Sequence, residues 1–467
     1  MNLKGKKVVV LGFGKSGKSA AKLLLKLGAE VLISETKEKE AFSPEILDYF
    51  KSQGVYFETG GHKKETLLSA DLVVVSPGVS REIYKDCLKK DIPVLSELEL
   101  AWQFLPNKNE TIAITGTNGK TTTTAMVSEL LKLSGYKVFT GGNYGIPLSE
   151  LVISNTSVDK IVLEVSSFQL ENIYTFSPKI GILLNISPDH LERYNSDEEY
   201  AYYKYRLFEN QNKNCYSILP FKEKWFNKFN KLLKGKALFF DEKENYEAKA
   251  FLKPSFISSE DGFILNLEDK EFYSFLGFKL LGTHNKINFM VASLGARLLG
   301  GTKESIKRLI SEFSGFPHRL EYIGEFGGVY FINDSKATNV DATLQALKSL
   351  TGSIILILGG KHKGTSYSSL IPYIKEKVKI LILMGEARFI IAEELNGLTE
   401  TYITETLGEA TLLAIKSAKP GDIVLLSPSC SSFDQFNDYK ERGEFFRNLV
   451  LSQAPLYFKE KKEGILH

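Results

Sequence analysis

The stretch Thr115-Gly116-Thr117-Asn118-Gly119-Lys120-Thr121-Thr122 groups the residue types that hold a nucleoside triphosphate. An apolar run, TIAIT (111 to 115), supplies a strand, and Gly116 and Gly119 let successive backbone N–H groups turn towards one anion. The helical run that follows aims its N-terminus at the same place. Lys120 is expected to reach the β- and γ-phosphates, and Thr121 to place a hydroxyl on Mg²⁺. In the usual GxxxxGK[ST] spacing a glycine would stand where Ile114 does. Here the glycine comes two residues later, so the loop is a shortened variant.

Five other groupings could carry chemistry. Gly12, Gly14 and Gly17 follow VVVL in a GxGxxG spacing, and Glu35 closes the next apolar run, where it could meet a ribose hydroxyl. By itself this pattern admits a nicotinamide cofactor, another nucleotide-linked substrate or a structural turn. The separate triphosphate loop weighs against redox chemistry. Glu164, in LEVSSFQLE, ends a strand where α/β sheets present ligands, and a carboxylate there suits Mg²⁺. Asp189-His190 follows the strand run LLNIS in the same manner. In Asp334-Ser335-Lys336-Ala337-Thr338-Asn339 a carboxylate, a lysine and several short polar side chains crowd one strand-to-helix turn, more than a helix cap requires. Gly359-Gly360-Lys361-His362-Lys363-Gly364 offers cations among glycines, suited to a carboxylate or phosphate.

The elements needed to position these groups are legible as alternating short apolar runs and helix-length pieces. KKVVVLG, KSAAKLLLKLG, AEVLIS, LVVVS and IPVL form a first unit, closing near Ser96 or Glu97. A second begins at Thr111 and includes KVFT, KIVLEVS and KIGILLNIS. It then gains a stretch from about 213 to 281 that reads as a small antiparallel addition. HNKINFMVASLGARLLG returns to helix and stops at Gly300-Gly301. A third repeats the pattern with VYFIND, a helix over 340 to 350, SIILILGG, KILILMG and DIVLLSPS. Continuous apolar strands between helices predict parallel sheets covered on both faces. The expected fold class is α/β, with three domains in series: a Rossmann-like domain over 1–97, a P-loop ATPase-like domain with the antiparallel addition over 98–316, and a Rossmann-like α/β domain over 317–467. The lysine-rich tail KEKKEGILH is expected to fray.

Composition agrees. A chain of 467 residues exceeds one hydrophobic core, and 43% hydrophobic with 25% charged residues is ordinary for a globular protein. The net charge of +3, with lysines and acids interspersed, gives no basic stripe for nucleic acid. Cys87, Cys215 and Cys430 are odd in number and far apart, which fits neither a disulfide framework nor a zinc knuckle and suits a reducing cytoplasm. The apolar run near the N-terminus is too short for a signal sequence, and no run reaches the ~20 residues that span a bilayer.

In this order, GFGKSG, SPGV, ITGTNGKTT, GGNYGIP, LEVSSFQLE, NISPDHLERY, GTHNKIN, FPHRLE, NDSKATN, GGKHKG and LSPSCSSFDQF resemble the Mur ligase family over nearly the whole chain. GTNGKT, HNxxN and HR are shared with the folylpolyglutamate synthetases. NDSKATN, LSPxxxSxDQF and the N-terminal GxGxxG point to the branch that adds D-glutamate, rather than to sister ligases adding another amino acid. The resemblance implies that ATP phosphorylates the carboxylate of UDP-N-acetylmuramoyl-L-alanine and that the amine of D-glutamate attacks the acyl phosphate. An oxidoreductase would leave GTNGKT unexplained, and an ATP-driven switch would hydrolyse ATP without the other substrates.

Residue by residue, the resemblance implies that Gly116, Thr117, Asn118, Gly119, Lys120, Thr121 and Thr122 hold the ATP phosphates. Asn285, Asn288, Arg319 and Asp334, with His284 and His318 beside them, would take the rest of ATP. Thr121, Glu164, His190 and Lys204 would serve Mg²⁺, with Lys120, Glu164, His190 and Lys204 as the catalytic set. A lysine ammonium has no lone pair for a metal, and the resemblance implies a CO₂-derived carbamate on Lys204. Two tyrosines, Tyr202 and Tyr203, precede it where small residues are expected. Lys15, Ser16, Glu35, Thr36 and Lys37 would bind the uridine end, and Asn143 the muramoyl part. Thr338, Lys363, Ser432 and Phe433, with Tyr439 where phenylalanine is common, would bind D-glutamate. Lys361-His362 is a further departure at that site. A cytoplasmic, monomeric enzyme whose third domain closes on the second is the resulting expectation.

Overall fold

The structure is a computed structural model that describes residues 1–187, 193–253, 261–280, 282–313, 315, 317–350, 352–362, 364–462 and 464, with only the backbone of residue 341. The chain divides into two compact units, Met1–Gly277 with Lys286–Ser311, and Phe278–Asn285 with Glu312–His467.

The first unit holds two sheets. One consists of β1 (Lys7–Leu11), β2 (Glu30–Ser34), β3 (Tyr56–Glu58), β4 (Leu72–Val75) and β5 (Val94–Ser96), all parallel, in the order β3-β2-β1-β4-β5. The chain reverses direction across the sheet between β1 and β4, and at such a switch point the loops at the strands' C-terminal ends part to leave a crevice. GFGKSG and SPGV are the loops that leave those two strands. Gly17 lies so close to the turn that a Cβ would stand 1.9 Å from the Gly12 carbonyl oxygen, which explains that glycine.

The other sheet has nine strands: β6 (Thr111–Thr115), β7 (Val138–Gly142), β8 (Lys160–Glu164), β9 (Ile180–Leu183), β10 (Tyr216–Pro220), β11 (Lys236–Asp241), β12 (Ala250–Lys253), β13 (Gly262–Asn266) and β14 (Lys270–Ser274). Their order is β14-β13-β12-β11-β10-β9-β6-β8-β7. The expected antiparallel addition is smaller than the stretch from 213 to 281 and is no separate sheet. β10 and β11 continue the parallel ladder from β9, and only β12 to β14 pair antiparallel. YSILP and KALFFD are short and moderately apolar, so composition did not distinguish them from the hairpin that follows.

Both sheets of this unit contribute to one core, which runs from Val8, Val10 and Leu24 through Leu98 and Trp102 to Leu163 and Leu183. The Glu97–Phe104 helix is the joint. Buried Glu99 accepts backbone N–H bonds from Tyr174, Thr175 and Phe176, each at 3.0 Å, and Glu97 accepts from Ser149 N–H at 2.7 Å.

The second unit carries β15 (Glu321–Phe326), β16 (Val329–Asn333), β17 (Ile354–Gly359), β18 (Val378–Met384), β19 (Glu400–Ile403) and β20 (Ile423–Leu426) in the order β15-β16-β20-β17-β18-β19. Only β15 pairs antiparallel. Period-two alternation along β17 sends Ile354, Leu356 and Leu358 into one core and Ile355 and Ile357 into the core on the opposite face. A continuous apolar strand therefore marks burial on both sides, as the sequence pattern predicted. The tail departs from expectation: the Tyr439–Lys462 helix includes KEKK, so fraying does not begin there.

Candidate functional site

The phosphate loop connects β6 to the Lys120–Leu133 helix. Gly116 has φ +152° and Gly119 φ +84°, conformations that side chains rarely adopt. At Gly119 a Cβ would also stand 2.5 Å from Asn288 Oδ1. Asn288 thus lies against the loop, and it is buried. Asn185, after β9, braces the other side. Its carbonyl accepts from Thr117 N–H at 3.0 Å, its Oδ1 accepts from Asn118 N–H at 2.9 Å, and its Nδ2 donates to the Asn118 carbonyl at 3.1 Å. Lys120 Nζ donates to the carbonyls of Gly116 and Thr117 at 2.7 and 2.8 Å, folded over the loop it belongs to. Thr121 and Thr122 are buried in the first turn of the helix, which contains no acidic residue to compete with an anion.

Glu164 ends β8, 2% exposed. Its Oε1 accepts from Asn143 Nδ2 at 2.8 Å, and its Oε2 has no hydrogen-bond partner among the described residues. A buried carboxylate oxygen without a donor is costly. A hard cation such as Mg²⁺, which takes few protein ligands beside phosphate oxygens and water, would satisfy it. Asn143, expected at the muramoyl part, orients this carboxylate. Among the described residues no three acidic, histidine or cysteine side chains cluster as a metal cage. His190 and its neighbour Asp189 lie outside the described residues.

Lys204 is 1% exposed, its Nζ donating to the Gly116 carbonyl at 2.9 Å and lying 4.5 Å from the centre of the Tyr200 ring. The structure thus brings Lys204 and Lys120 to the same loop carbonyl. Tyr200 hydroxyl stands 3.3 Å from Thr117 Oγ1.

At the first sheet, Lys15 and Ser16 open the Lys15–Lys26 helix, with Gly14 as its N-cap. Glu35 follows β2 and has both oxygens engaged: Oε2 accepts from Phe13 N–H at 2.7 Å, Oε1 from Lys37 N–H at 3.1 Å and Thr36 Oγ1 at 3.0 Å. Burial raises its pKa, and these bonds more than offset that, holding the carboxyl below its ordinary range. Glu35 therefore shapes the glycine loop through its bond to Phe13 N–H.

In the second unit Asp334 follows β16 and is 5% exposed. It accepts from Leu320 N–H at 3.1 Å and Ser427 Oγ at 2.8 Å, yet burial pushes its pKa up to about 7. Arg319 contributes a positive charge nearby, which pulls the other way. His284 Nδ1 pairs with Ser349 Oγ at 3.0 Å, and buried Asn285 is its neighbour on the Thr283–Leu298 helix. His318, at φ +67°, is held by Asn333 Nδ2 at 3.0 Å.

Arg442 ties the remaining pieces together. It is 1% exposed; Nε and Nη2 donate to Ser335 Oγ and its carbonyl at 3.0 and 2.8 Å, and Nη1 to the Cys430 carbonyl at 3.1 Å. Ser335 Oγ in turn donates to the Tyr439 carbonyl at 2.8 Å. The turn holding Thr338 is thereby linked to the segment of Ser432 and Tyr439. Ser432 is buried, whereas the Phe433 ring is exposed. Tyr367 bridges His362 Nδ1 at 3.0 Å and Cys430 Sγ at 3.1 Å, and Lys361 pairs by its backbone with Ser431. Lys363 lies outside the described residues. Asn185 heads NISPDHLERY and Asn333 heads NDSKATN, although neither was singled out as a site residue, whereas Tyr200, Tyr367 and Arg442 stand in no motif.

Three family models match the chain: a MurD-like N-terminal domain over residues 6–95, the Mur ligase middle domain over 114–296 and the Mur ligase glutamate ligase domain over 318–430. A UDP-N-acetylmuramoylalanine--D-glutamate ligase of Geotalea uraniireducens (strain Rf4) is 39% identical over 455 residues, covering 97% of this chain and 98% of that protein. The chain belongs to the Mur ligase family. A ligase of the same description from Geotalea daltonii is 40% identical over 457 residues, covering 97% of this chain and 99% of that one. Among solved structures, a pseudomurein peptide ligase type C from Methanothermus fervidus superposes with a TM-score of 0.58 at 18% identity, covering 96% of this chain and 99% of that one. At that identity the likeness bears on fold alone. Among the described residues no helix is long and apolar enough to cross a membrane.

Proposed function

We propose that this Mur ligase joins D-glutamate to UDP-N-acetylmuramoyl-L-alanine at the expense of ATP, in cytoplasmic peptidoglycan precursor synthesis. The nucleotide-linked substrate falls to residues 1–97, ATP to 98–316 and the amino acid to 317–467. The observation that carries the reading is the phosphate loop with two buried groups beside it, Glu164 with an unsatisfied oxygen and Lys204 at the Gly116 carbonyl.

A carboxylate resists amine attack because it is a poor electrophile and would have to expel oxide. Transfer of the γ-phosphoryl to the L-alanyl carboxylate breaks the terminal phosphoanhydride and releases ADP. The neutral amine of D-glutamate then attacks the acyl carbon, the amide forms, phosphate leaves and the amine proton passes to solvent or a nearby base. Lys120 moves from its own loop carbonyls to the phosphates, and Gly116 to Thr122 supply N–H donors and the helix N-terminus. Thr121 and Glu164 are the residues that would hold Mg²⁺, which neutralises phosphate charge when bound. Lys204 as an ammonium would repel that cation; as a carbamate it supplies anionic oxygens instead. Asn143 fixes the rotamer of Glu164. Lys15, Ser16, Thr36 and Lys37 receive the uridine end, with Glu35 holding their loop. Asn285, Asn288, Arg319 and Asp334 take the rest of ATP, and Thr338, Ser432 and Tyr439 receive D-glutamate.

An amino-acid panel with UDP-N-acetylmuramoyl-L-alanine, ATP and Mg²⁺, run with and without bicarbonate, tests this. Phosphate release and a product of the expected mass should appear with D-glutamate alone. Product with another amino acid, or phosphate release from ATP alone, would overturn it.

A further inference from the structure

The Asp197–Tyr205 helix presents Tyr200, Tyr203 and Lys204 at i, i+3 and i+4, one face of the helix, and all three are buried. Ser196 caps it, accepting from Glu199 N–H at 3.1 Å. Two of the three side chains contact the phosphate loop, Lys204 at the Gly116 carbonyl and Tyr200 at Thr117 Oγ1. The third reaches elsewhere. The Tyr203 hydroxyl accepts a hydrogen bond from Arg81 Nη1. Arg81 opens the Arg81–Lys89 helix directly after Ser76-Pro77-Gly78-Val79-Ser80, the loop leaving β4 at the ligand edge of the first sheet.

Neighbouring bonds join the same two places. Arg193 Nε and Nη2 each donate to Glu171 at 2.7 Å while its Nη1 donates to the Pro77 carbonyl at 3.2 Å. Tyr84 hydroxyl donates to Glu171 Oε2 at 3.3 Å. The Tyr203 ring packs 5.5 Å from Tyr194, whose own hydroxyl donates to Glu171 Oε1 at 2.8 Å. Tyr203 thus has its ring in a fixed aromatic cluster and its one polar atom on a guanidinium from the other sheet.

We propose that Arg81 and Tyr203 are positioning residues: their hydrogen bond fixes the helix that bears Lys204, and through it the phosphate loop, relative to the loop that receives the nucleotide-linked substrate. This rests on the ligase reading above. Phosphoryl transfer needs the carboxylate oxygen and the phosphorus about 3–3.5 Å apart and in line, and a misplacement near 1 Å costs about a hundredfold. A helix held by aromatic packing alone can slide along its contacts. Directional polar anchors at the loop and at Arg81 remove that freedom, and a bond to a guanidinium is charge-assisted. It also accounts for a tyrosine at 203 where a small residue is expected.

Tyr203→Phe keeps the ring and removes the acceptor; Arg81→Met keeps length and removes the donor. In steady-state assays of the full chain, each should lower kcat about tenfold, with KM for D-glutamate unchanged within about twofold. The double variant should fall no further than the worse single one, because both remove the same bond. Titration of UDP-N-acetylmuramoyl-L-alanine should give unchanged affinity, and thermal midpoints should stay near the parent. Losses that multiply to about a hundredfold in the double variant would overturn the proposal. So would an unchanged kcat in Tyr203→Phe, or weaker substrate affinity in Arg81→Met as its only effect. An inactive parent chain would strike the ligase reading instead.

Discussion

The phosphate loop of the first unit and the loop cluster of the second are both assigned to anionic ligands, and they are built from opposite materials. The first is local: eight consecutive residues, two glycines in conformations other residues avoid, and a lysine resting on its own carbonyls. The second is assembled at long range. Arg442 reaches Ser335 across 107 positions of sequence, and the turn, the strand-end loop and the final helix meet on that one buried cation. The locally specified site takes its anion-binding geometry from its own backbone and is only braced from afar, by Asn185 and Lys204, whereas the long-range site needs polar wiring through the core for the geometry itself, and each wire becomes a point where stability and binding are coupled.

The largest expected effect tests the local site. Lys120→Ala removes the cation that donates to the carbonyls of Gly116 and Thr117 and is expected at the phosphates. Phosphate release should fall on the order of a thousandfold, with affinity for the UDP-linked substrate and the thermal midpoint retained. Concurrent loss of UDP-substrate affinity would show that the loop is not the self-contained device its geometry suggests.

A smaller effect tests the long-range site. Asp334 has its pKa raised from 3.8 to about 7, with burial as the main cause. The folded state therefore binds a proton that the unfolded state has lost between those values. The associated stability is fully present below about pH 4 and is lost as pH rises through 7. In the nucleotide-free protein, the second unit should lose about 2–3 kcal/mol between pH 5 and pH 8. Chemical denaturation across that range measures it, and Asp334→Asn should flatten the profile.

This contrast also explains what the sequence made legible. Strands β1, β6, β8 and β17 announce themselves because burial on both faces demands continuous apolar runs, and Gly116 to Thr122 because a phosphate loop is specified by neighbours. Glu164 was found because it closes such a run. Arg442 was not, since KERGEFF reads as an ordinary charged helix, and only the packing shows a guanidinium sealed beneath Ser335. Tyr203 was visible only as an anomaly beside Lys204. Parallel pairing of β10 and β11 escaped for a similar reason: register is decided by partners, and the run itself carries no sign of which neighbour it will take.

The finest test of the comparison keeps the charge at Arg442 and changes only its geometry. Arg442→Lys retains a buried cation but cannot reproduce a planar fork that serves Ser335 Oγ, the Ser335 carbonyl and the Cys430 carbonyl together. At least one buried carbonyl should lose its donor, costing about 1–2 kcal/mol of stability in the second unit. If the network also shapes the amino-acid site, KM for D-glutamate should rise several-fold while KM for ATP and UDP-linked substrate affinity stay level. Unchanged KM with lowered stability would reduce Arg442 to a core fastener and leave Thr338 and Ser432 positioned by their own loops. Unchanged stability and unchanged KM together would mean that the two loops hold their places without the guanidinium, and the long-range site would then be as self-contained as the local one.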